Sequence, residues 1–145
     1  MTQTSGPLAG TRVIDLTAVL MGPSATQYLA DLGADVVKVE PPEGDTTRGV
    51  PPFVDGVSVY YAQMNAGKRN VCIDLKAPGG PALVERLARS VDVLIENFRP
   101  GVLERFGLDA PRRFQILRIW HAVRNDRRLK RHNCSVVGTR FRHFR

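Results

Sequence analysis

The chain has 145 residues, of which 43% are hydrophobic and 24% charged, and its formal net charge is +7. This length and balance are typical of a soluble globular protein with one domain and a core. No apolar run approaches the ~18 residues of a membrane-spanning helix, and the first residues carry no secretory leader, so we expect a cytoplasmic protein. Cys72 and Cys134 are far apart and fit no metal or redox spacing, which predicts free thiols and no metal site.

The positive charge is concentrated at one end of the chain. Residues 1–110 contain 10 Lys or Arg and 13 Asp or Glu, a net charge of −3. Residues 111–145 contain 11 Lys or Arg and one acid, a net charge of +10, together with all three histidines. This asymmetry indicates that the two parts differ in origin or in role.

The first predicted elements are a strand, a helix and a second strand. Residues 12–16 are mostly apolar and predict a buried strand, and residues 35–40 predict another. Between them a helix begins at Gly22-Pro23-Ser24, where proline suits the first turn, and Gly33 marks its end. A strand, a helix and a strand in this order predict a right-handed crossover and a parallel pair.

The same alternation continues after an irregular loop rich in proline and glycine. We predict a short helix, a strand, an amphipathic helix, a strand and a short helix, over residues 58–65, 71–75, 81–90, 91–95 and 102–106. In the amphipathic helix Leu83, Val84 and Leu87 are predicted to face the core. The pattern indicates an α/β fold with a mainly parallel sheet and flanking helices, followed by an irregular basic tail.

Three cations flank the strand predicted over residues 71–75. Lys68 and Arg69 precede it, and Lys76 ends it. They fit either a solvated sheet edge or a cationic ledge for a phosphorylated ligand. Ligands of parallel sheets bind at the carboxyl ends of the strands, and here four loops are predicted to meet at that edge. They contain residues 17–21, 40–42, 76 and 97–99.

No individual motif before the tail identifies a function by itself. The first crossover turn lacks the G-x-G-x-x-G fingerprint, so Glu40 is a weak candidate for a ribose-binding acid. Asp45 and Arg48 suggest an ion pair within the loop, and Asn97-Phe98 fit either ligand contacts or a turn next to the core. No Ser/His/Asp or Cys/His arrangement has a credible spacing, so general-base chemistry before the tail would need a carboxylate.

Residues 111–145 break the alternation. Residues 114–120 have some helical spacing, and the rest is dense in arginine with isolated apolar residues. The segment is predicted to be a non-homologous, frameshifted or disordered tail joined after Ala110. Alternatively, it is a basic arm for nucleic acid or an anionic surface, which would make the chain a small non-enzymatic binding protein.

Ordered blocks before the tail resemble the family III CoA-transferases, which include formyl-CoA transferase, carnitine CoA-transferase and α-methylacyl-CoA racemase. The blocks lie within residues 6–109 and occur in the order GPLAG (6–10), VIDLT (13–17), GP (22–23), LGADVVKVEP (32–41), GD (44–45) with Arg48, NAGKR (65–69), DLK (74–76) and ENFRPG (96–101). Several blocks in order make this resemblance far more specific than any single motif.

The resemblance implies the N-terminal part of a Rossmann-like large domain over residues 1–110. It implies coenzyme A or acyl-CoA as substrate and a carboxylic acid as acceptor. Full-length members form an interlocked homodimer, which we do not expect of a fragment, and no membrane partner is implied. The implied CoA contacts are Leu20, Met21, Ile73, Asp74, Leu75, Lys76, Asn97, Phe98, Arg99 and Arg105.

Departures from the family pattern limit the expected activity. No residue after Ala110 matches the aspartate nucleophile of the transferases, nor the His/Asp pair of the racemases. We therefore expect a chain truncated before its catalytic residue and inactive alone, whether its relatives transfer CoA or racemise. Leu20 replaces the glutamine of formyl-CoA transferases, which argues against that substrate.

Overall fold

A computed structural model describes residues 5–108 and 115–118, the latter by their backbone. Its elements are β1 (Arg12–Asp15), α1 (Met21–Asp31), β2 (Asp35–Glu40), a 3₁₀ helix (Thr46–Gly49), β3 (Phe53–Val54), β4 (Val57–Ser58), α2 (Val59–Asn65), β5 (Arg69–Cys72), α3 (Gly80–Ala88), β6 (Val93–Glu96), α4 (Val102–Arg105) and β7 (Gln115–Arg118). Across these two ranges, none of the helices has the length and apolarity needed to cross a membrane.

Five strands form one parallel sheet in the order β5–β2–β1–β6–β7. The chain begins at the centre with β1, moves outward through β2 to β5, and then returns to the other side of β1 with β6. The connections that leave β1 and β6 therefore run in opposite directions. This arrangement opens a crevice at the carboxyl ends of these two neighbouring strands.

Helices cover both faces of the sheet, which explains why its central strands are mostly apolar. On one face Val84 and Ala88 of α3 pack with strand residues and with α4, in a cluster of Ile14, Leu16, Val39, Ile73, Val84, Ala88, Leu94, Leu103 and Leu108. On the other face lie Val13, Ala30, Ala34, Val36 and Ile95. The α/β fold with a mainly parallel sheet is confirmed.

Several predicted elements are found close to their expected bounds. β1 and β2 are parallel, as predicted from the intervening helix, and their pairing joins Val13 to Val36 and Ile14 to Val37. Gly33 follows α1 with a φ of 97°, a left-handed conformation that glycine adopts without steric cost. The first crossover was therefore predictable from turn residues and apolar runs.

The strand predicted over residues 71–75 is displaced: β5 spans Arg69–Cys72. The chain turns after Ile73, because the Asp74 carboxylate accepts a hydrogen bond from the backbone N–H of Lys76 at 2.8 Å. Lys76 therefore lies in a turn and does not end the strand. The alternation nevertheless predicted the common face of Val71, Ile73 and Leu75 correctly, since all three pack in the α3-side core.

Three further predictions differ from the structure. Leu83 of α3 is 43% exposed, so only Val84 and Leu87 of the predicted triplet pack in the core. The hairpin of β3 and β4 was not predicted, although it turns at Asp55-Gly56, whose positive φ angles of 48° and 76° are typical of hairpin turns. No strand was predicted after Ala110, and this prediction was also wrong, because β7 pairs in parallel with β6. The remaining residues of the predicted tail lie outside the described ranges.

Candidate functional site

The carboxyl ends of β1, β2, β5 and β6 lie along one side of the parallel sheet. We call this side, with the loops that follow these strands, the carboxyl edge. It contains residues 16–20, 41–45, 73–79 and 97–101. Parallel α/β sheets bind their ligands at this place, so the residues that shape these loops are the candidates for function.

The loop after β1 is held by side chains from three other elements. Its Thr17 carbonyl accepts a hydrogen bond from Lys38 Nζ of β2 at 2.7 Å. Ala18 is held by Asn97, which donates from Nδ2 to the Ala18 carbonyl at 2.8 Å and accepts from the Ala18 N–H at 3.0 Å. The N–H of Val19 points to Asp45 Oδ2 at 3.4 Å. Three consecutive residues are thus fixed by their neighbours.

Val19 has a left-handed backbone conformation with a φ of 75°. For a β-branched residue this is an outlier, because its side chain crowds the backbone there, at a cost of about 1–3 kcal/mol. The side chain is 49% exposed, so burial of Val19 does not compensate. The two preceding residues, Thr17 and Ala18, are both hydrogen-bonded to other parts of the chain. Backbone strain of this kind is concentrated at functional sites.

Two buried ion pairs lie beneath this loop. Lys38 Nζ and Asp45 Oδ2 are 3.1 Å apart, and Lys68 Nζ and Asp15 Oδ2 are 3.0 Å apart. All four side chains are 0–1% exposed. The two pairs are linked, because Thr17 donates its N–H to Asp15 Oδ1 at 2.8 Å while its carbonyl accepts from Lys38. Charges that are buried so completely must be paired and hydrogen-bonded to be tolerated.

Glu40 organises a third charged group at the end of β2. Its carboxylate accepts from Arg48 Nε at 2.7 Å, from the Tyr61 hydroxyl at 2.6 Å and from the Asp45 N–H at 3.0 Å, and Asn70 Nδ2 donates to it as well. Burial raises the pKa of Glu40, but the hydrogen bonds from Arg48, Tyr61 and Asp45 outweigh it and lower the pKa to about 2. This carboxylate is fully used, so the interpretation of Glu40 as a ribose-binding acid was wrong.

Tyr61 and Asp45, which both hydrogen-bond to Glu40, also have shifted pKa values. Burial and the hydrogen bond to Glu40 raise the pKa of Tyr61 to about 12, and Arg48 lies over the Tyr61 ring at 3.9 Å. Burial alone would raise the pKa of Asp45, but hydrogen bonds from Thr47 and the charge of Lys38 lower it. The predicted Asp45–Arg48 ion pair is replaced by two separate pairs, in which each residue binds a side chain of β2.

Lys68, which precedes β5, and Arg69, which begins it, do not form a ledge for a ligand. Lys68 Nζ points inward and donates to Asp15, to the Pro23 carbonyl at 2.9 Å and to Asn65 Oδ1 at 2.9 Å. Burial lowers the pKa of Lys68 against the opposing effect of Asp15. Arg69 pairs with Asp35 at 2.6 Å, at the amino end of β2, which is the opposite edge of the sheet.

The structure distributes the ten predicted contact residues between surface and core. Leu20 and Met21 lie where α1 begins, and Met21 is 53% exposed. Ile73 is buried, and Leu75 packs beside it, so both side chains serve the core. The remaining six are Asp74, Lys76, Asn97, Phe98, Arg99 and Arg105, of which Lys76, Arg99 and Arg105 are exposed.

Sequence reasoning missed Asp15, Lys38 and Lys68 as organisers of the edge. A signal was present, because Asp15 and Lys38 are charges inside otherwise apolar strands. Such positions predict a buried partner, but the strand pattern does not identify it. In the described part of the chain, no cluster of three or more His, Cys, Asp or Glu side chains could hold a metal ion.

Comparison with known proteins identifies the family that this fold and edge resemble. The sequence model of CoA-transferase family III matches residues 8–116. Succinate–glutarate CoA-transferase of Agrobacterium fabrum is 51% identical over 140 residues, which cover 91% of this chain and 32% of that protein. Formyl-CoA:oxalate CoA-transferase of Streptomyces coelicolor is 47% identical over 105 residues, which cover 72% of this chain and 26% of that protein.

Solved structures agree with the sequence comparison. A CAIB/BAIF family protein from Brucella suis has a TM-score of 0.68 and 45% identity over 72% of this chain and 29% of its own. Rv3272 from Mycobacterium tuberculosis has a TM-score of 0.74 and 36% identity over 80% of this chain and 35% of its own. The chain thus spans about a third of the length of these relatives.

The matches to known proteins also extend into the segment after Ala110. The family match extends to residue 116, and the alignment with the Agrobacterium protein covers more of the chain than residues 1–110 contain. Part of residues 111–145 is therefore aligned with a relative. A frameshifted origin of the segment stays a prediction.

Proposed function

Because this chain belongs to the CoA-transferase family III, we propose that its carboxyl edge binds coenzyme A in an enzyme that transfers CoA from an acyl-CoA to a carboxylic acid. The observation that carries the proposal is the family match over residues 8–116, which includes all four loops of the carboxyl edge. The names of the relatives concern succinate, glutarate and oxalate, which favours a dicarboxylic acid as acceptor.

Exposed cations support the binding of the CoA phosphates. Lys76, Arg99 and Arg105 are exposed, and none of them forms an ion pair with another described residue. The turn that contains Lys76 is fixed by the Asp74 carboxylate, so the lysine backbone is ordered before ligand arrives. Charge-assisted hydrogen bonds from such groups to phosphate oxygens are stronger than neutral ones.

The pantetheine chain of CoA has candidate partners among the other predicted contact residues. Leu20 and Met21 offer apolar surface to the pantetheine chain, as does the exposed part of Phe98, which otherwise packs against the α3-side core. The Asp74 and Asn97 segments offer backbone groups to its amides. The side chains of Ile73 and Leu75 are occupied in the core. Their contribution to CoA is therefore assigned to their backbone atoms.

The buried carboxylates near the edge are assigned structural roles. Asp15 and Asp45 are paired with lysines, and Glu40 is paired with Arg48. A carboxylate nucleophile must be able to leave its partners and attack the acyl carbon. Removing Asp15 or Asp45 would instead leave Lys68 or Lys38 as an uncompensated buried cation, and Glu40 is held by hydrogen bonds from Arg48 and Tyr61. We therefore assign support of the loops, and neither CoA contact nor the covalent step, to these three carboxylates.

Calorimetric titration of the 145-residue chain with CoA tests the proposal, with pantetheine as the matched ligand that lacks the nucleotide and its phosphates. Saturable binding of CoA, at least about tenfold tighter than that of pantetheine, is expected if the exposed cations hold phosphates. Equal affinities would reject the assignment of Lys76, Arg99 and Arg105. No binding of CoA would reject the proposal as a whole.

A further inference from the structure

Asn97 directs both ends of its side-chain amide to one residue of the neighbouring loop. Its Oδ1 accepts the Ala18 N–H and its Nδ2 donates to the Ala18 carbonyl. The last backbone bond between the two strand ends joins the Leu16 N–H to the Ile95 carbonyl at 2.8 Å. The side-chain amide of Asn97 thus links the segments after β1 and β6 beyond the last hydrogen bond between their backbones.

The loop that Asn97 holds is strained at the next residue. Val19 has a φ of 75°, and its own N–H has only the 3.4 Å contact with Asp45. On its other side the Leu20 carbonyl accepts from the Ser24 N–H at 2.9 Å, as part of the start of α1. Val19 is therefore held between the fixed Ala18 and the fixed first turn of the helix. Release of Ala18 would let Val19 return to a negative φ.

A change at Val19 would move the start of α1 at the crevice between β1 and β6. This crevice is where a parallel sheet with this strand order receives its ligand. We propose that Asn97 is a positioning residue for CoA: by holding Ala18 it keeps Val19 left-handed and so directs Leu20 and Met21 toward the ligand. This inference rests on the proposed function and adds to it the role of a residue that acts through the loop after β1.

A role through the loop and a direct contact with CoA make different predictions. Glycine adopts a φ of 75° without steric cost, so a loop with glycine at position 19 keeps its shape with less help from Asn97. If Asn97 acts by maintaining Val19, Val19→Gly restores part of what Asn97→Ala loses. If Asn97 touches CoA directly, the losses are the same in both backgrounds.

The test is a double-mutant cycle of Asn97→Ala and Val19→Gly in the 145-residue chain, read by CoA titration and by amide hydrogen exchange. Loss of two hydrogen bonds in Asn97→Ala is expected to weaken CoA binding about tenfold and to speed exchange of the Ala18 and Val19 amides. In the Val19→Gly background the same change is expected to weaken binding no more than about threefold. Gln63→Ala, which removes an exposed amide from α2, is expected to change neither readout.

Two results would overturn the inference. One is an equal loss of affinity from Asn97→Ala in both backgrounds, which would make Asn97 a direct contact. The other is unchanged exchange of the Ala18 and Val19 amides, which would mean that the amide pair does not hold the loop. The exchange measurement needs no ligand, so it decides on the loop even if the unmodified chain binds no CoA, a result that would instead contradict the proposed function.

Discussion

Lys38 and Asp45 form an ion pair of 3.1 Å in which each side chain is only 1% exposed. Lys38 is on β2 and Asp45 is in the loop after it, and both also contact the loop after β1. The pair therefore joins two of the loops that form the carboxyl edge. Because the pair is buried, loss of either partner would leave the other charge with neither a counter-ion nor contact with solvent.

Replacing Lys38 with methionine should strongly destabilise the chain. Methionine keeps much of the lysine's volume but leaves Asp45 buried without its cation, and loss of one partner of such a pair costs about 3–5 kcal/mol. Urea denaturation measures the free energy of unfolding. Arg89→Ala is the control, because its pair with Glu85 is exposed and worth at most about 0.5 kcal/mol. Similar losses in the two variants would contradict the structural role of the buried pair.

Glu40 should make the stability depend on acid. Its pKa of about 2 in the folded chain lies below its ordinary value of 4.5. The stabilisation is thus fully present above about pH 4.5 and is lost as the pH falls toward 2, and it amounts to about 3 kcal/mol. The difference in free energy of unfolding between the unmodified chain and Glu40→Gln should therefore shrink by this amount between pH 6 and 2.

Glu43→Gln provides the comparison for this pH series. Glu43 is exposed and lies in the loop that follows Glu40, so its removal should leave the loss of stability below pH 4.5 in place. An unchanged acid profile in Glu40→Gln would show that the hydrogen bonds from Arg48 and Tyr61 do not stabilise the ionised form.

Gly80 should be intolerant of a side chain. A Cβ at this position would lie 1.9 Å from the Asp74 carbonyl oxygen, so the turn that contains Lys76 would have to move. We expect Gly80→Ala to cost about 1–3 kcal/mol and to weaken CoA binding. At Gly49 an added Cβ meets nothing within 4 Å, so Gly49→Ala should leave both properties near those of the unmodified chain. Normal CoA affinity in Gly80→Ala would separate this turn from the site.

The order of the main strands and helices was predictable because apolar runs and turn residues are local signals. The bounds of β5 were not, since the strand ends where the Asp74 side chain binds the Lys76 N–H and not where the apolar alternation ends. The hairpin at Asp55-Gly56 had a readable turn signal that was overlooked. β7 was missed because it needs β6 as its partner to form a strand.

The loops of the carboxyl edge were predictable from the strands, but their support was not. Lys68 pairs with Asp15 across 53 positions of sequence, and Asn97 holds Ala18 across 79. A local sequence pattern cannot predict contacts between residues that are so far apart in the chain. The unusual φ of Val19 is likewise imposed by tertiary contacts, because valine has no preference for a left-handed conformation.

The origin of residues 111–145 has a direct test in the nucleotide sequence. If the segment arose by a frameshift after codon 110, translation in one of the other two frames should continue the pattern of the relatives. Absence of that pattern from both frames would reject the frameshift.

The placement of CoA at the carboxyl edge is tested most directly by comparing the CoA affinity of Lys76→Gln with that of Arg12→Gln. Both changes remove one exposed positive charge, but Lys76 lies at the carboxyl edge and Arg12 begins β1 at the opposite edge. We expect Lys76→Gln to weaken CoA binding about tenfold, because a charge-assisted contact is lost, and Arg12→Gln to change it less than about twofold. Equal effects of the two variants would contradict the placement of CoA at the carboxyl edge.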